Sequence, residues 1–317
     1  MNPLRIGTRS SALAQWQAES VRTQLAEKGV AAELILIRTA GDRDPHAPLR
    51  TMGGQGVFIK ELEDALLEER IDLAVHSMKD VPTELPEGLL ISAVTKREDV
   101  RDALVSREGL SLDRLPHGAR VGTGSLRRQA QLRHYRVDLH MADIRGNVDT
   151  RLAKLDRGDY DAIVLAQAGL ERLGMAGRVS ETLSPDICLP AAGQGAIGIE
   201  SREADAAVLR VLAKLNHLPT RIAVDAERTV LAGLGGGCQL PAGIWAHLEA
   251  PDFVIDACVL AADGSESLRI RRSGSPHRWA ELARLAASAL LDRGAARLLE
   301  VVASETSIAE RSPGFER

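Results

Sequence analysis

Asp80 is the residue best placed to do chemistry. It follows Lys79 in the run Ala74-Val75-His76-Ser77-Met78-Lys79-Asp80-Val81-Pro82. The apolar segment from Ile71 to Val75 reads as a short buried strand that breaks into a polar loop closed by Pro82 and Pro86. Ligands of open α/β sheets bind beyond the carboxyl ends of the strands, so a carboxylate there, beside an ammonium, could do acid/base or electrostatic work. A solvated Lys-Asp pair in an ordinary surface loop is the competing reading.

Arginine is concentrated further along, at Arg127, Arg128, Arg133, Arg136, Arg145 and Arg151. Arg127 and Arg128 fall in the first turn of an expected helix, where cations oppose the helix dipole and are mildly unfavourable without an anion. The preceding Gly122-Thr123-Gly124-Ser125 offers N–H groups and hydroxyls at the same helix start, a geometry that binds phosphate or carboxylate. Arg145-Gly146-Asn147 repeats the theme, with Arg151 one turn on, and Arg9 beside Ser10-Ser11 supplies it from the amino-terminal part. A solvated basic helix face accounts for Arg133 and Arg136. The remaining set asks for a ligand with several negative groups. Cys238, in Gly233-Leu234-Gly235-Gly236-Gly237-Cys238-Gln239-Leu240-Pro241, is a candidate nucleophile or attachment point. Cys258 and Cys188 read as small buried hydrophobes. His76 has no partner at metal-ligand spacing and reads as structural; no metal is expected.

These residues need elements to present them. A strand from Leu4 to Thr8 precedes Ser10-Ser11 and a helix, Ala12 to Lys28, with Leu13, Trp16, Val21 and Leu25 on one stripe. A strand, Glu33 to Arg38, a glycine-rich loop and a helix, Val57 to Glu69, lead to the strand before Asp80. A similar order recurs from Arg120, with a helix at Asn147 to Asp156 and a strand at Asp161 to Leu165, and Arg120-Val121-Gly122-Thr123-Gly124-Ser125 matches Arg5-Ile6-Gly7-Thr8-Arg9-Ser10. Two similar, doubly wound α/β domains facing a cleft are expected, residues 1–95 with 196–214 and residues 100–190, joined by a double crossover. Residues 218–317, with a helix from Pro219 to Leu231, strands at Ile244 to Leu248 and Phe253 to Leu260 and later helices at Arg278 to Leu291 and Ala295 to Ala303, suggest a small α+β third domain with a frayed tail after Ser304.

The 317 residues exceed one compact core, and 44% hydrophobic with 26% charged residues is ordinary for a globular protein. A net charge of −4 and only 3% aromatic residues argue against a nucleic-acid binder. No apolar run is long enough to span a bilayer, and no signal-peptide core precedes Leu4. Three scattered cysteines suit neither a disulfide framework nor a zinc site. A monomer in the cytoplasm, with no membrane partner, is expected.

The segments Val75 to Pro82, Gly122 to Gln129, Arg145 to Leu152, Gly193-Gln194-Gly195-Ala196 and Gly236-Gly237-Cys238-Gln239 together, in this order, closely resemble the porphobilinogen deaminase (hydroxymethylbilane synthase) family. The resemblance implies a three-domain transferase of tetrapyrrole and heme biosynthesis. Such an enzyme joins four porphobilinogen molecules head to tail with loss of ammonia, on a dipyrromethane cofactor, and releases hydroxymethylbilane by hydrolysis. It implies a thioether from Cys238 to the cofactor, and Asp80 as the catalytic carboxylate near the pyrrole nitrogens. Lys79, Thr123, Ser125, Arg127 and Arg128 would hold the cofactor's acid groups, and Arg9, Ser11, Arg145, Arg151 and Arg172 would contact substrate or the growing chain. Gln55 stands where many relatives have lysine, Gly124 where serine is frequent, and His46 where aspartate is frequent. The alternative is a non-catalytic binding protein for a small polyanion, since two facing α/β domains also describe periplasmic solute receptors. That reading leaves the glycine-cysteine loop without a purpose.

Overall fold

The computed structural model describes residues 3–38, 59–236 and 240–300. His46, the Gly53-Gly54-Gln55-Gly56 cluster, Cys238 and the tail after Ser304 lie outside the described residues.

The chain opens with β1 (Leu4–Thr8), α1 (Ala12–Glu27) and β2 (Ala32–Leu36). The Ser11 hydroxyl caps α1 by accepting from the Ala14 N–H, and Gly29, at φ 76°, ends it in the left-handed conformation. Next come α2 (Lys60–Leu67), β3 (Leu73–Ser77), a single 3-10 turn over Met78–Asp80, and β4 (Leu89–Val94). Residues 95–101 cross to a second unit. It contains β5 (Asp102–Ser106), β6 (Arg120–Gly122), α3 (Leu126–Tyr135), β7 (His140–Ala142), α4 (Val148–Asp156), β8 (Ala162–Ala166), α5 (Gln167–Arg172) and β9 (Glu181–Thr182). The chain then returns through residues 183–196 to β10 (Ile197–Arg202) and α6 (Ala206–Leu212) of the first unit.

The two sheets have matching topologies, β2-β1-β3-β10-β4 and β7-β6-β8-β5-β9. In each, three parallel strands adjoin an antiparallel one, β10 or β5, contributed by a crossing. The internal match extends to single atoms. Asp72 accepts the backbone N–H of Arg5 at 2.8 Å, and Asp161 accepts that of Arg120 at 2.8 Å. Both faces of each sheet are covered, as alternation along a strand requires. In the first sheet Leu73 and Val75 meet Ala18, Val21 and Leu25 of α1, while Ala74 meets Leu62, Ala65 and Leu66 of α2. In the second, Val164 packs with Leu132 of α3, and Ile163 and Leu165 pack with Leu152 and Leu155 of α4.

The third unit is α7 (Leu218–Gly233), the antiparallel β11 (Ala242–Glu249), β12 (Asp252–Leu260) and β13 (Ser267–Gly274), and α8 (Trp279–Asp292). One sheet face, with Ile244, Ile255 and Val259, packs on Ala226 and Val230 of α7 and Ala286 and Leu290 of α8. Glu227 pairs with Arg97 of the first crossing, and against the first unit Arg228 donates to the carbonyls of Val81 and Pro82 at 2.9 and 2.6 Å. Against the second, Arg133 donates to the Ala262 carbonyl, so it is an interdomain tie instead of the solvated cation expected. Arg136 is likewise engaged, by Asp138 and the carbonyls of Leu112 and Leu115.

Candidate active site

The parallel strands set the site, because their carboxyl ends lie together at one edge of each sheet. β1 delivers Arg9 and Ser11, and β3, its parallel neighbour, delivers the Met78–Asp80 turn. Met78 is buried and anchors the turn, Lys79 is half-buried, and Asp80 is exposed. In the second unit β6 runs into Thr123 and Ser125, and β7 into Arg145 and the start of α4 with Arg151. Ser125 caps α3 by accepting from the Arg128 N–H at 3.5 Å, which leaves its hydroxyl proton for another acceptor.

Asp80 and Arg151, from opposite units, are close enough for the carboxylate to act on the guanidinium. Burial pulls the Arg151 guanidinium down to about 10, with Arg128 and Arg145 adding repulsion that Asp80 only partly offsets. Burial also lowers the Lys79 ammonium, to about 8, with Arg128 repelling it and Asp80 and Asp102 opposing. Lys79, Arg128, Arg145 and Arg151 thus form a positive cluster that repels itself in a partly desolvated place. Groups perturbed in this way by burial and like charge are the signature of a site that expects an anion.

Arg127 and Arg128 have an internal partner that local sequence could not show. Asp102, wholly buried at the start of β5, accepts from Arg127 NH1 at 2.7 Å and from Arg128 Nε and NH2 at 3.1 and 2.7 Å. Burial opposes the Asp102 charge, but the two guanidiniums outweigh it and hold the carboxyl far below the usual range. The anion that relieves two cations in the first turn of α3 is therefore partly intramolecular. Arg127 also donates to the Leu189 carbonyl at 2.5 Å, and Thr123 is wholly buried, its hydroxyl accepting the Ser125 N–H at 3.3 Å. Arg128 is as buried as Arg127, and its NH1 also donates to the Val164 carbonyl at 3.0 Å. Gln194 was not singled out by its type or spacing. Its amide N–H donates to Asp102 at 2.9 Å and its carbonyl oxygen accepts from Lys79 at 3.5 Å, joining the two units.

Arg172 is buried at the end of α5 and donates to the Gly195 carbonyl at 2.7 Å. His76 is structural, its Nε2 lying 2.9 Å from Glu200. Cys188 and Cys258 are buried; burial pushes the Cys258 thiol up to about 11 and the Cys188 thiol higher, which keeps both inert. No group of three His, Cys, Asp or Glu among the described residues could hold a metal ion.

Residues 4–210 match the family model "Porphobilinogen deaminase, dipyromethane cofactor binding domain", and residues 221–292 match the model of the family's C-terminal domain. The chain belongs to the porphobilinogen deaminase family. A porphobilinogen deaminase of Syntrophobacter fumaroxidans is 49% identical over 301 residues, covering 94% of this chain and 97% of its own. Among solved structures, the VFT2 domain of Bordetella pertussis BvgS has a TM-score of 0.42 and 16% identity, covering 67% of this chain and 85% of that one. The arginine-specific periplasmic binding protein of Salmonella typhimurium has a TM-score of 0.39 and 16% identity, covering 68% and 92%. Scores this low add nothing to the architecture described above. Membership of the deaminase family sets aside the expectation of a non-catalytic receptor.

The cofactor of porphobilinogen deaminases is a polyanion, each pyrrole carrying an acetate and a propionate. The donors here fit it: one ammonium, several arginines, a hydroxyl and a helix start converge from two units, and their charge is not balanced by the carboxylates among them.

Proposed function

We propose that Asp80 is the carboxylate that works at every condensation, and that Cys238 carries the dipyrromethane through a thioether. The protein is a transferase of tetrapyrrole biosynthesis. It condenses four porphobilinogen molecules head to tail with loss of ammonia and releases hydroxymethylbilane by hydrolysis. The bound dipyrromethane supplies the nucleophilic carbon that receives the first substrate.

The observation that supports this reading most directly is the approach of Gly236 to the loop after Asp80. A Cβ on Gly236 would stand 2.9 Å from Thr83 Oγ1, and the residue's φ is 63°. Glycine meets both conditions without strain, and the loop that bears the cysteine begins beside the Asp80 turn. Arg228, on the helix that feeds this loop, holds the carbonyls of Val81 and Pro82, so one helix governs both ends of the site.

Loss of ammonia leaves the incoming substrate electron-poor, and positive charge then develops on pyrrole nitrogen. A carboxylate fixed on a strand-end turn stabilises that charge and can accept and return a proton. Lys79, Thr123, Ser125, Arg127 and Arg128 hold the cofactor's acid groups. Arg9, Ser11, Arg145, Arg151 and Arg172 receive the carboxylates of substrate and growing chain. The domains divide at residues 1–95 with 196–214, 100–190 and 218–317. The protein acts as a monomer in the cytoplasm, a reading supported by three scattered cysteines that suit no disulfide framework; no helix among the described residues is long and apolar enough to cross a membrane.

Intact-mass measurement of the active protein tests the tether: it should be heavier than its sequence by one dipyrromethane, and an unmodified Cys238 in active enzyme overturns the assignment. Asp80→Asn should lower turnover by roughly 10²- to 10⁴-fold while keeping the added mass. Near-normal turnover would remove Asp80 from the chemistry.

A further inference from the structure

Trp16 does not sit where its helix buries its apolar face. That face is Gln17, Ala18, Val21 and Leu25, while Trp16 is 39% exposed. Its neighbour one turn back, Leu13, points the same way, since its Cδ2 lies 3.7 Å from where a Cβ on Gly169 of α5 would be. α1 therefore shows a second apolar edge, and that edge faces the other α/β unit. The Arg172 guanidinium, from α5, lies over the Trp16 ring with its carbon 5.6 Å from the centroid.

Arg172 is only 9% exposed and its hydrogen bonding is incomplete. NH2 donates to Gly195, but Nε is buried with no hydrogen-bond partner among the described residues. Glu98 and Glu171 act on it through their charge, without a hydrogen bond, and burial lowers its pKa. A buried donor without a partner is costly, and a guanidinium binds carboxylate with the N–H groups of its edge. Stacking on an indole uses the face of the guanidinium and leaves that edge untouched. The two contacts are compatible, and the first fixes the plane in which the second must occur.

We propose that Trp16 is a positioning residue for the condensation reaction: its indole holds the face of Arg172 across the gap between the two α/β units, keeping the Nε edge of the guanidinium ready for a carboxylate of the substrate or growing chain. The inference rests on Arg172 being a substrate contact. Trp16 itself touches no reacting atom. Its removal leaves the Gly195 carbonyl as the one hydrogen-bonded anchor of Arg172 among the described residues, so binding of porphobilinogen weakens while the chemistry of a bound substrate does not.

Steady-state kinetics on cofactor-loaded Trp16→Ala, Trp16→Phe and Arg172→Leu enzymes test this, with intact mass and thermal unfolding measured on each. Trp16→Ala should raise KM for porphobilinogen by roughly three- to thirtyfold, with kcat within about twofold, and Trp16→Phe should recover most of the loss. The dipyrromethane mass and the unfolding temperature should match those of the parent. If Arg172→Leu raises KM and Trp16→Ala does not, the role of Trp16 is overturned while that of Arg172 stands. If neither raises KM, Arg172 is no substrate contact and the proposal falls with it. Loss of the cofactor mass or of the fold in Trp16→Ala, or an equal loss in Trp16→Phe, would make the residue structural and overturn the proposal.

Discussion

Replacing Asp102 with asparagine would expose how much of the site depends on one buried charge. The carboxylate accepts three hydrogen bonds from Arg127 and Arg128, between 2.7 and 3.1 Å, one from Gln194 at 2.9 Å, and the Cys188 thiol at 3.3 Å. Asparagine keeps the shape and one acceptor but removes the charge and turns an amide N–H toward guanidinium donors. Two buried cations are then left without a counter-ion, which costs about 3–5 kcal/mol when one partner of a buried pair is removed. Denaturant unfolding at pH 7 should show a loss of that size, and the protein should retain less dipyrromethane by intact mass, because Arg128 is no longer held. The carboxyl pKa is depressed in the folded protein, so its stabilising contribution is fully present above the ordinary carboxylate pKa and fades as pH falls below it. The gap between parent and variant should thus be flat from about pH 5 to 8 and narrow below about pH 4. A variant that loses less than about 1 kcal/mol and keeps its full cofactor mass would refute the view that Asp102 organises these arginines.

Two further outcomes follow from the same geometry. Lys79, lowered to about 8, is charged below that pH, so substrate turnover should decline as pH rises through it. Lys79→Arg should move that limb to higher pH, and a pH-rate profile with no such move would exclude Lys79 as its source. Glu227 accepts from Arg97 at 2.7 and 3.0 Å, from Gly193 N–H at 2.7 Å and from Ala246 N–H at 2.8 Å, tying both crossings to the third unit. Glu227→Gln should destabilise by about 3 kcal/mol or more and speed proteolysis near residues 95–101; unchanged cleavage would show that the tie is dispensable.

Much of this was legible locally. The repeat of Arg5-Ile6-Gly7 in Arg120-Val121-Gly122 foretold two units of one topology, and strand-end position singled out Asp80. What stayed hidden was long-range. Asp102 is 25 residues from Arg127 in sequence, and only the fold makes it the counter-ion that helix-start arginines need. A carboxylate opening the apolar run Asp102-Ala103-Leu104-Val105 was the available signal, since a buried charge requires a partner. Trp16 fell on the expected stripe because helical periodicity finds apolar residues but not which of two neighbours they meet. The expected strands do not include the short β4 and β5. Nor do they include β13, where Ser267-Leu268-Arg269-Ile270-Arg271 alternates apolar with basic; the partners of its arginines, Asp256 across the sheet and the Pro185 carbonyl, lie far off in sequence.

The crossed connection also governs how the molecule can be made. β10 lies between β3 and β4 in its sheet, yet it is the last strand of that sheet in the chain. Until residues 197–202 emerge from the ribosome, β3 and β4 each lack a neighbour, and their open edges invite wrong pairing. The second unit needs nothing beyond residue 183 for its sheet and can close first. Synthesis from the amino terminus would then complete the middle of the protein before its beginning, and a nascent chain stalled between these points should be where chaperones are most needed.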